Sequence, residues 1–495
     1  MKLRCEATEA TEFERYKTIV DDMDQFTTIS AKPLAYFIWT NTLRTSSDNL
    51  HNILKSDGFN LEPVLWHSDV FRIIGHVKGL GNHWTYLAGH FHIQEASSML
   101  PVLILNPKSN ERVLDLCASP GNKTAQIAVA LNNQGTVVAN DIDRIRLKAV
   151  RHMINRLGLM NVSVTCVDGS NYPVSGGAFD AVVVDVPCSC EGTSRRYPNV
   201  ITRFVHNRSE LVRKQQSLLR QAIRRCRTQG RIVYSTCTYA PEENESVIHS
   251  VMKEMPEMIQ ILPIQFPGLK TSHGLKEWQG EIYPDEMKNT LRIWPHHNDT
   301  GGFFVALLQK TGHSSKEDEC FPIGDPRCNS FVKSTFHPIS STDEYTEILE
   351  SRFGIPKQRF VDLSMLYKNS RDIYITPKNH TSPCLPNVIT GLPMLHVRTR
   401  FPQLTTSGAS AFGHFATKNA INLKADQLMA YLERRSIRIE QSQQLNCDST
   451  GYVIVKYNNT PLGVGFYDIS RAEMASLLPK SMIVKSVEEE GEDIS

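Results

Sequence analysis

The 495-residue chain predicts an α/β fold: a mostly parallel sheet with an antiparallel edge, set between an α+β N-terminal segment and a β-rich C-terminal segment. Three observations carry that reading. Strand and helix signals alternate between residues 111 and 309. The strand runs are apolar on both faces, as expected of a sheet covered by helices on each side. Carboxylates and thiols recur where those runs end, which is where ligands bind in such sheets.

Along the chain, residues 9–23 have helical spacing and 34–41 are apolar and aromatic. Residues 45–55 suggest a second helix, followed by short strands near 64–65 and 70–74. Next come a strand at 113–117, a glycine loop and a helix at 124–131. A strand at 137–139 ends at Asn140-Asp141, and a helix covers 144–157. A strand at 162–167 ends at Asp168, and the run 181–184 ends at Asp185. A long helix over 209–227 leads to a strand at 231–235 that ends in Thr236-Cys237-Thr238. Residues 292–294 and 303–308, joined by Asn298-Asp-Thr-Gly-Gly302, read as a hairpin that supplies the antiparallel edge. Residues 312–318 read as a linker. Near the end, 452–457 and 462–467 flank Asn458-Asn459 as a second hairpin. The expected divisions are 1–95, 96–312, an irregular 313–390, 391–487, and an acidic tail at 488–495.

Composition excludes several classes. With 40% hydrophobic and 21% charged residues the chain is neither disordered nor fibrous. No apolar run reaches the ~20 residues of a membrane helix, and the first residues lack the apolar core of an export signal. Eleven cysteines without a spacing pattern are expected to be reduced thiols. A soluble monomer is expected, cytoplasmic, or nuclear or nucleolar if the source is eukaryotic, with no membrane and no metal. Net charge is only +2, yet residues 195–231 hold eleven Lys/Arg against a single acid, Glu210. That window suits either a nucleic-acid phosphate backbone or a solvated helix face.

The strand ends suggest a ligand. The loop Cys117, Ala118, Ser119, Pro120, Gly121, Asn122, Lys123 follows the first strand, and Gly121 lets backbone approach closely. Asp141 is placed for ribose hydroxyls and Asp168 for an adenine edge. The loop lacks both G-x-G-x-x-G and the phosphate-cradling P-loop, which disfavours dinucleotides and triphosphates. A nucleoside cofactor without phosphates, such as S-adenosyl-L-methionine, fits better. Cys188 and Cys237 end neighbouring strands and could face one cleft as nucleophile and partner. Zinc is the competing use, through Cys188-Ser-Cys190 with His296-His297, but C-x-C without a second matched pair is a poor zinc signal. Cys166, Cys226 and the cysteines nearer the C terminus are read as structural.

These residues resemble the RNA (cytosine-5)-methyltransferases of the Nol1/Nop2/Sun group. The likeness runs through Tyr86–Leu100, Leu114-Asp-Leu-Cys-Ala-Ser-Pro-Gly-Asn-Lys-Thr124 and Asn140-Asp-Ile-Asp143. It continues through Asp185-Val-Pro-Cys-Ser-Cys-Glu-Gly-Thr193, Tyr234-Ser-Thr-Cys-Thr-Tyr-Ala-Pro-Glu-Glu-Asn244 and Arg292-Ile-Trp-Pro-His-His-Asn-Asp-Thr-Gly-Gly-Phe-Phe304. The tail, Gly451-Tyr-Val-Ile-Val455 through Leu478-Pro-Lys480, is similar to the PUA-like domain of the bacterial ribosomal-RNA members. Where that family usually has Gly, this chain has Cys190.

The resemblance implies a Rossmann-like S-adenosylmethionine-dependent methyltransferase sheet between two RNA-binding domains. It implies Cys237 as the nucleophile at cytosine C6, Asp185 as the group that holds the base, and Cys188 as the thiol that assists release. Cys117–Lys123 would hold the cofactor's methionine end, Asp141 its ribose and Asp168 its adenine, with Asp185 touching both ligands. Ribosomal RNA or a small-subunit particle is the favoured substrate and tRNA the second. Arg195, Arg196 and Arg203 would meet phosphates at the mouth of the site. Two rival readings stay open: Cys188 as nucleophile, as in the DNA cytosine-5 enzymes, and a non-catalytic RNA-binding or assembly factor.

Overall fold

The computed structural model describes residues 13–75, 77–200, 208–312, 336–368, 371–385, 387–397 and 403–483. Arg203, most of the 312–318 linker and the acidic tail lie outside the described residues.

Strands β5 (Arg112–Asp115), β6 (Thr136–Asn140), β7 (Val162–Thr165), β8 (Phe179–Asp185) and β9 (Cys226–Thr236) lie side by side in the order β9-β8-β5-β6-β7. All four pairings are parallel. Successive residues serve opposite faces of the sheet. Val113, Val137, Val162 and Val183 join the apolar cluster that includes helices Asn122–Ala130 and Leu147–Leu157. Leu114, Val138, Val182 and Val184 join the cluster built with Arg208–Arg225 and Glu245–Glu254. Burial on both faces is why these runs read as continuous apolar stretches. Phe303–Lys310 pairs antiparallel with β9, and Leu291–Ile293 pairs outside it, giving the expected antiparallel edge. The link between those two strands includes a one-turn helix, Pro295–Asn298.

The N-terminal part departs from expectation. In place of one helix over 9–23, the described residues show a 3-10 turn at Glu14–Tyr16 and an α-helix at Met23–Ser30, which Asp22 caps by accepting the Gln25 amide. Strands β1 (Tyr36–Thr40), β2 (Asn60–Val64), β3 (His67–Ile74) and β4 (Phe91–Ile93) form an antiparallel sheet ordered β2-β3-β1-β4. This segment is closely joined to the central sheet: Phe13, Tyr16 and Phe26 pack with Tyr239 and Trp294.

The stretch expected to be irregular contains a five-stranded sheet running from Phe336–Pro338 to Gln403–Leu404, which crosses residue 391. Its neighbour Asn387–Thr390 leaves that sheet and pairs antiparallel with β7, closing the other edge of the central sheet. A final five-stranded sheet starts at Ala420–Leu423. Its hairpin, Gly451–Tyr457 with Thr460–Asp468, turns at Asn458 and Asn459, both with positive φ. No helix among the described residues is long and apolar enough to cross a membrane. Seven described cysteines are free, whereas Cys384 is disulfide-bonded, a correction to the all-thiol expectation.

Candidate active site

A cavity of about 320 Å³ lies at the carboxyl ends of β5, β8 and β9, within the size range of small-molecule sites. Its walls include Asp115, the loop Cys117–Pro120, Asn122, Lys123, Asp185 and Cys237, with Glu95, Thr193, Arg196, Tyr197 and Phe303 opposite. Strand pairing explains the convergence. Asp185 of β8 sits across from Ser235 of β9, so the loops that follow each strand leave the sheet side by side.

Asp185 is held from both sides: Ser235 Oγ donates to Oδ1 at 2.6 Å and Lys123 Nζ to Oδ2 at 2.6 Å. Lys123 is buried and faces the Phe303 ring at 5.5 Å. Gly121 precedes the helix Asn122–Ala130 with φ 113°, a conformation that favours glycine, and a Cβ there would stand 3.1 Å from Val150 Cα. Asp115 is fully buried; burial raises its carboxyl to about 7, against the opposing hydrogen bond from Thr124 (2.6 Å). Its second oxygen, Oδ1, has no partner among the described residues.

The thiols form a cluster. Cys188 Sγ lies 3.4 Å from Cys237 Sγ and 3.9 Å from Cys190 Sγ. The sulfur–sulfur hydrogen bond with Cys188 lowers the Cys190 thiol, and that with Cys237 lowers it further. Cys188 is driven up by its own hydrogen bonds with Cys190 and Cys237 and by burial. Cys237 is favoured as thiolate by Cys188 but raised overall by Cys190 and burial. Cys190 has φ 60°, the left-handed region, which accounts for glycine being usual at that place in the resembling family.

The loops are buttressed. Ser189 donates from its amide to Glu243 and lies 2.7 Å from Thr238 through their hydroxyls. The Gly192 amide donates to Cys237 O, and the Gly302 amide to Gly192 O, each at 2.9 Å. A Cβ on Gly192 would stand 2.2 Å from Gly302 O, so only glycine permits that approach. Tyr16 reaches in from the N-terminal segment to donate to Glu191 at 2.6 Å.

Not every expected residue faces the cavity. Asp141 accepts the amides of Ser119 (3.1 Å) and Asp143 (2.9 Å), and so shapes the loop. Asp168 accepts the Ser170 amide and caps a 3-10 turn. Neither lines the cavity, nor does Cys188, which is buried behind Cys237. Arg195 is corrected outright. Its side chain is 1% exposed and donates to the carbonyls of Lys32, Pro33 and Thr300 and to Asp299, so it meets no phosphate. His296 and His297 turn to Asp21 at 2.7 and 2.9 Å, a group separate from the thiols. Sequence reading passed over Glu95, Asp115, Thr193, Tyr197 and Phe303 as site residues, although all but Tyr197 stand inside the quoted motifs. The available signal for Asp115 was a carboxylate at the end of an apolar strand.

Residues 102–309 match the model of the family described as 16S rRNA methyltransferase RsmB/F, and residues 418–472 match the methyltransferase RsmF PUA domain. The chain is 30% identical over 476 residues to ribosomal RNA small subunit methyltransferase F of Aeromonas salmonicida, covering 93% of each chain.

The chain belongs to the RsmB/F methyltransferase family.

The RsmB/F match spans every thiol of the cluster and Asp185, and the final sheet is the PUA domain. A second relative, the tRNA (cytosine(49)-C(5))-methyltransferase of Pyrococcus abyssi, is 35% identical over 299 residues, 60% of this chain and 94% of its own. Among solved structures, a methyltransferase homolog protein from Pyrococcus horikoshii superposes with a TM-score of 0.55 at 29% identity, over 61% of this chain and 99% of that one.

Proposed function

We propose that this RsmB/F chain methylates C5 of a cytosine in RNA using S-adenosyl-L-methionine, through a covalent adduct on Cys237. The observation that carries the proposal is the pair Cys188–Cys237, 3.4 Å apart, with Cys237 opening on the cavity beside Asp185. The cavity also fits the cofactor. Asp115 Oδ1 is an unpartnered buried acceptor in its wall, and the N-terminus of helix Asn122–Ala130, opened by Gly121, suits a carboxylate. By the family resemblance the backbone of Cys117–Lys123 takes the methionine end, Asp141 the ribose and Asp168 the adenine edge, the last two set beyond the cavity wall, and Asp185 touches both ligands.

Cytosine C5 is a poor nucleophile until C6 is attacked. Cys237 gives up its proton to solvent through the cavity, the Cys188 hydrogen bond favouring the thiolate against burial, and forms the S–C6 bond as the displaced electron pair moves toward C5. Asp185, already oriented by Ser235 and Lys123, accepts from the cytosine amino group, and from N3–H once N3 takes up a proton from solvent to offset the charge developing on the ring. The bound cofactor supplies an electrophilic methyl group to C5. Cys188 then assists loss of the C5 proton, after which the S–C6 bond breaks and Cys237 leaves as thiolate. Arg196 and Tyr197, stacked 5.4 Å apart on the cavity wall, are placed to receive an unpaired or flipped nucleotide. The PUA domain and the name of the Aeromonas relative favour ribosomal RNA, and the Pyrococcus relative makes tRNA second.

The test is covalent trapping with cellular RNA and the cofactor on a denaturing gel, followed by sequencing of the trapped RNA. Cys188→Ser is expected to accumulate an RNA adduct and Cys237→Ser to form none. Reversed behaviour would make Cys188 the nucleophile. Absence of both adduct and methyl transfer would leave an RNA-binding factor.

A further inference from the structure

The methyl-transfer scheme uses two thiols, yet three meet. Cys190 occupies a left-handed backbone position (φ 60°) that a side chain adopts only at a cost, and its sulfur turns toward Cys188. Sγ atoms of Cys188, Cys190 and Cys237 all lie within 4.8 Å of one another. Zinc–sulfur bonds of about 2.3 Å need sulfurs roughly 3.8–4.0 Å apart; the pairs at 3.4 and 3.9 Å already approach that spacing. Three ligands supplied by the chain, with a further position toward the cavity that Cys237 lines, describe an open thiolate site. Thiolate donors select soft cations, such as zinc or cuprous ion, over magnesium or calcium.

We propose that Cys188, Cys190 and Cys237 together form a binding site for a thiophilic metal cation, represented by Zn²⁺, and that its occupation stops methyl transfer by tying up both catalytic thiols. The binding step balances simply. The metal ion forms three sulfur bonds and the three thiols release up to three protons, with no change of oxidation state. Cys190 forms no bond in the transfer chemistry, although it raises the Cys237 thiol. The inhibitory half of the proposal rests on the function proposed above; the metal site itself does not.

The full-length chain, with its Cys384 disulfide intact and its free thiols unoxidised, is titrated with Cd²⁺ in the absence of RNA, and the thiolate-to-metal charge-transfer absorption is followed, with Zn²⁺ as competitor. Wild type is expected to show a tight equivalent of one Cd²⁺ per chain that Zn²⁺ displaces. Cys190→Gly, which suits the left-handed backbone, and Cys190→Ser, which keeps a side chain there, are expected to weaken that equivalent at least ~100-fold, beyond what loss of an outer-shell partner costs. Both variants should still transfer methyl groups in metal-free buffer and should resist one equivalent of Zn²⁺ that silences wild type. A wild type without the band, or variants that bind as tightly, overturns the site. Tight binding by a wild type that methylates no RNA leaves the site standing and removes the function instead.

Discussion

Asp115 shows how one side chain couples burial to pH. Its carboxyl is raised to about 7, so between pH about 4 and about 7 the folded chain keeps a proton that the unfolded chain has released. Stability from this group is therefore greatest at the acid end of that window and falls as pH rises through it. Asp115→Asn preserves the acceptor for Thr124 and removes the titration. The variant should gain on wild type by up to about 2.6 kcal/mol between pH 5 and pH 8. Thermal melts across that range check it, and an unchanged difference between the two proteins would refute the assignment. Glu191, raised to about 7 chiefly by burial, leaves a residual slope of the same sign in the variant.

Among elements, the strand ends are tied by Asn140. Its amide donates to Leu116 O and Val167 O, while its oxygen accepts from Thr165 Oγ1 and the Val167 amide. One fully buried side chain thus holds the exits of β5, β6 and β7, from which the site loops depart. Asn140→Ala should cost about 3 kcal/mol in denaturant unfolding, because several buried polar groups lose their partner together. The basic window divides in a similar way. Arg208, Arg220 and Arg231 pair with acids, whereas Arg213, Lys214 and Arg224 stand exposed on the helix Arg208–Arg225. Replacing Arg213, Lys214 and Arg224 with Gln should flatten the salt dependence of RNA binding by about one unit of slope for each lost phosphate contact. Arg195→Ala should lower the melting temperature and leave that slope unchanged. Parallel salt slopes for all of these variants would place RNA elsewhere.

Across the whole molecule, the N-terminal segment joins the catalytic sheet to the PUA domain. Trp84 and Ala88 lie in the same apolar cluster as Ile421, Val453 and Tyr467, and Trp84 meets the Tyr457 ring edge-on at 5.2 Å. Arg44, half-buried with its guanidinium lowered to about 10 by desolvation, donates to Leu157 O of the catalytic helix and to Ser410 O. Trp84→Ala should remove about 3–5 kcal/mol from this junction. Hydrogen exchange should speed up in Gly451–Tyr457 while the central strands β5 to β9 stay protected. Equal loosening of both sheets would mean that they unfold as one unit.

By itself, the sequence determined the alternation of β5 to β9, the antiparallel edge, the terminal hairpin and the identity of the chemical groups at the strand ends. Those signals are local: a run apolar on both faces, an Asn-Asn turn and an acid after a strand each report their own surroundings. Tertiary structure alone decided which groups meet. Cys188 and Cys237 are 49 residues apart and become neighbours only through the β8–β9 pairing. Arg195 reads as a surface cation, yet Asp299 and three distant carbonyls enclose it. Asn387–Thr390 completes the central sheet from a stretch with no periodic signal of its own. The physical reason is common to all three: strand pairing and burial of a charge depend on partners far along the chain, and local composition carries no record of them.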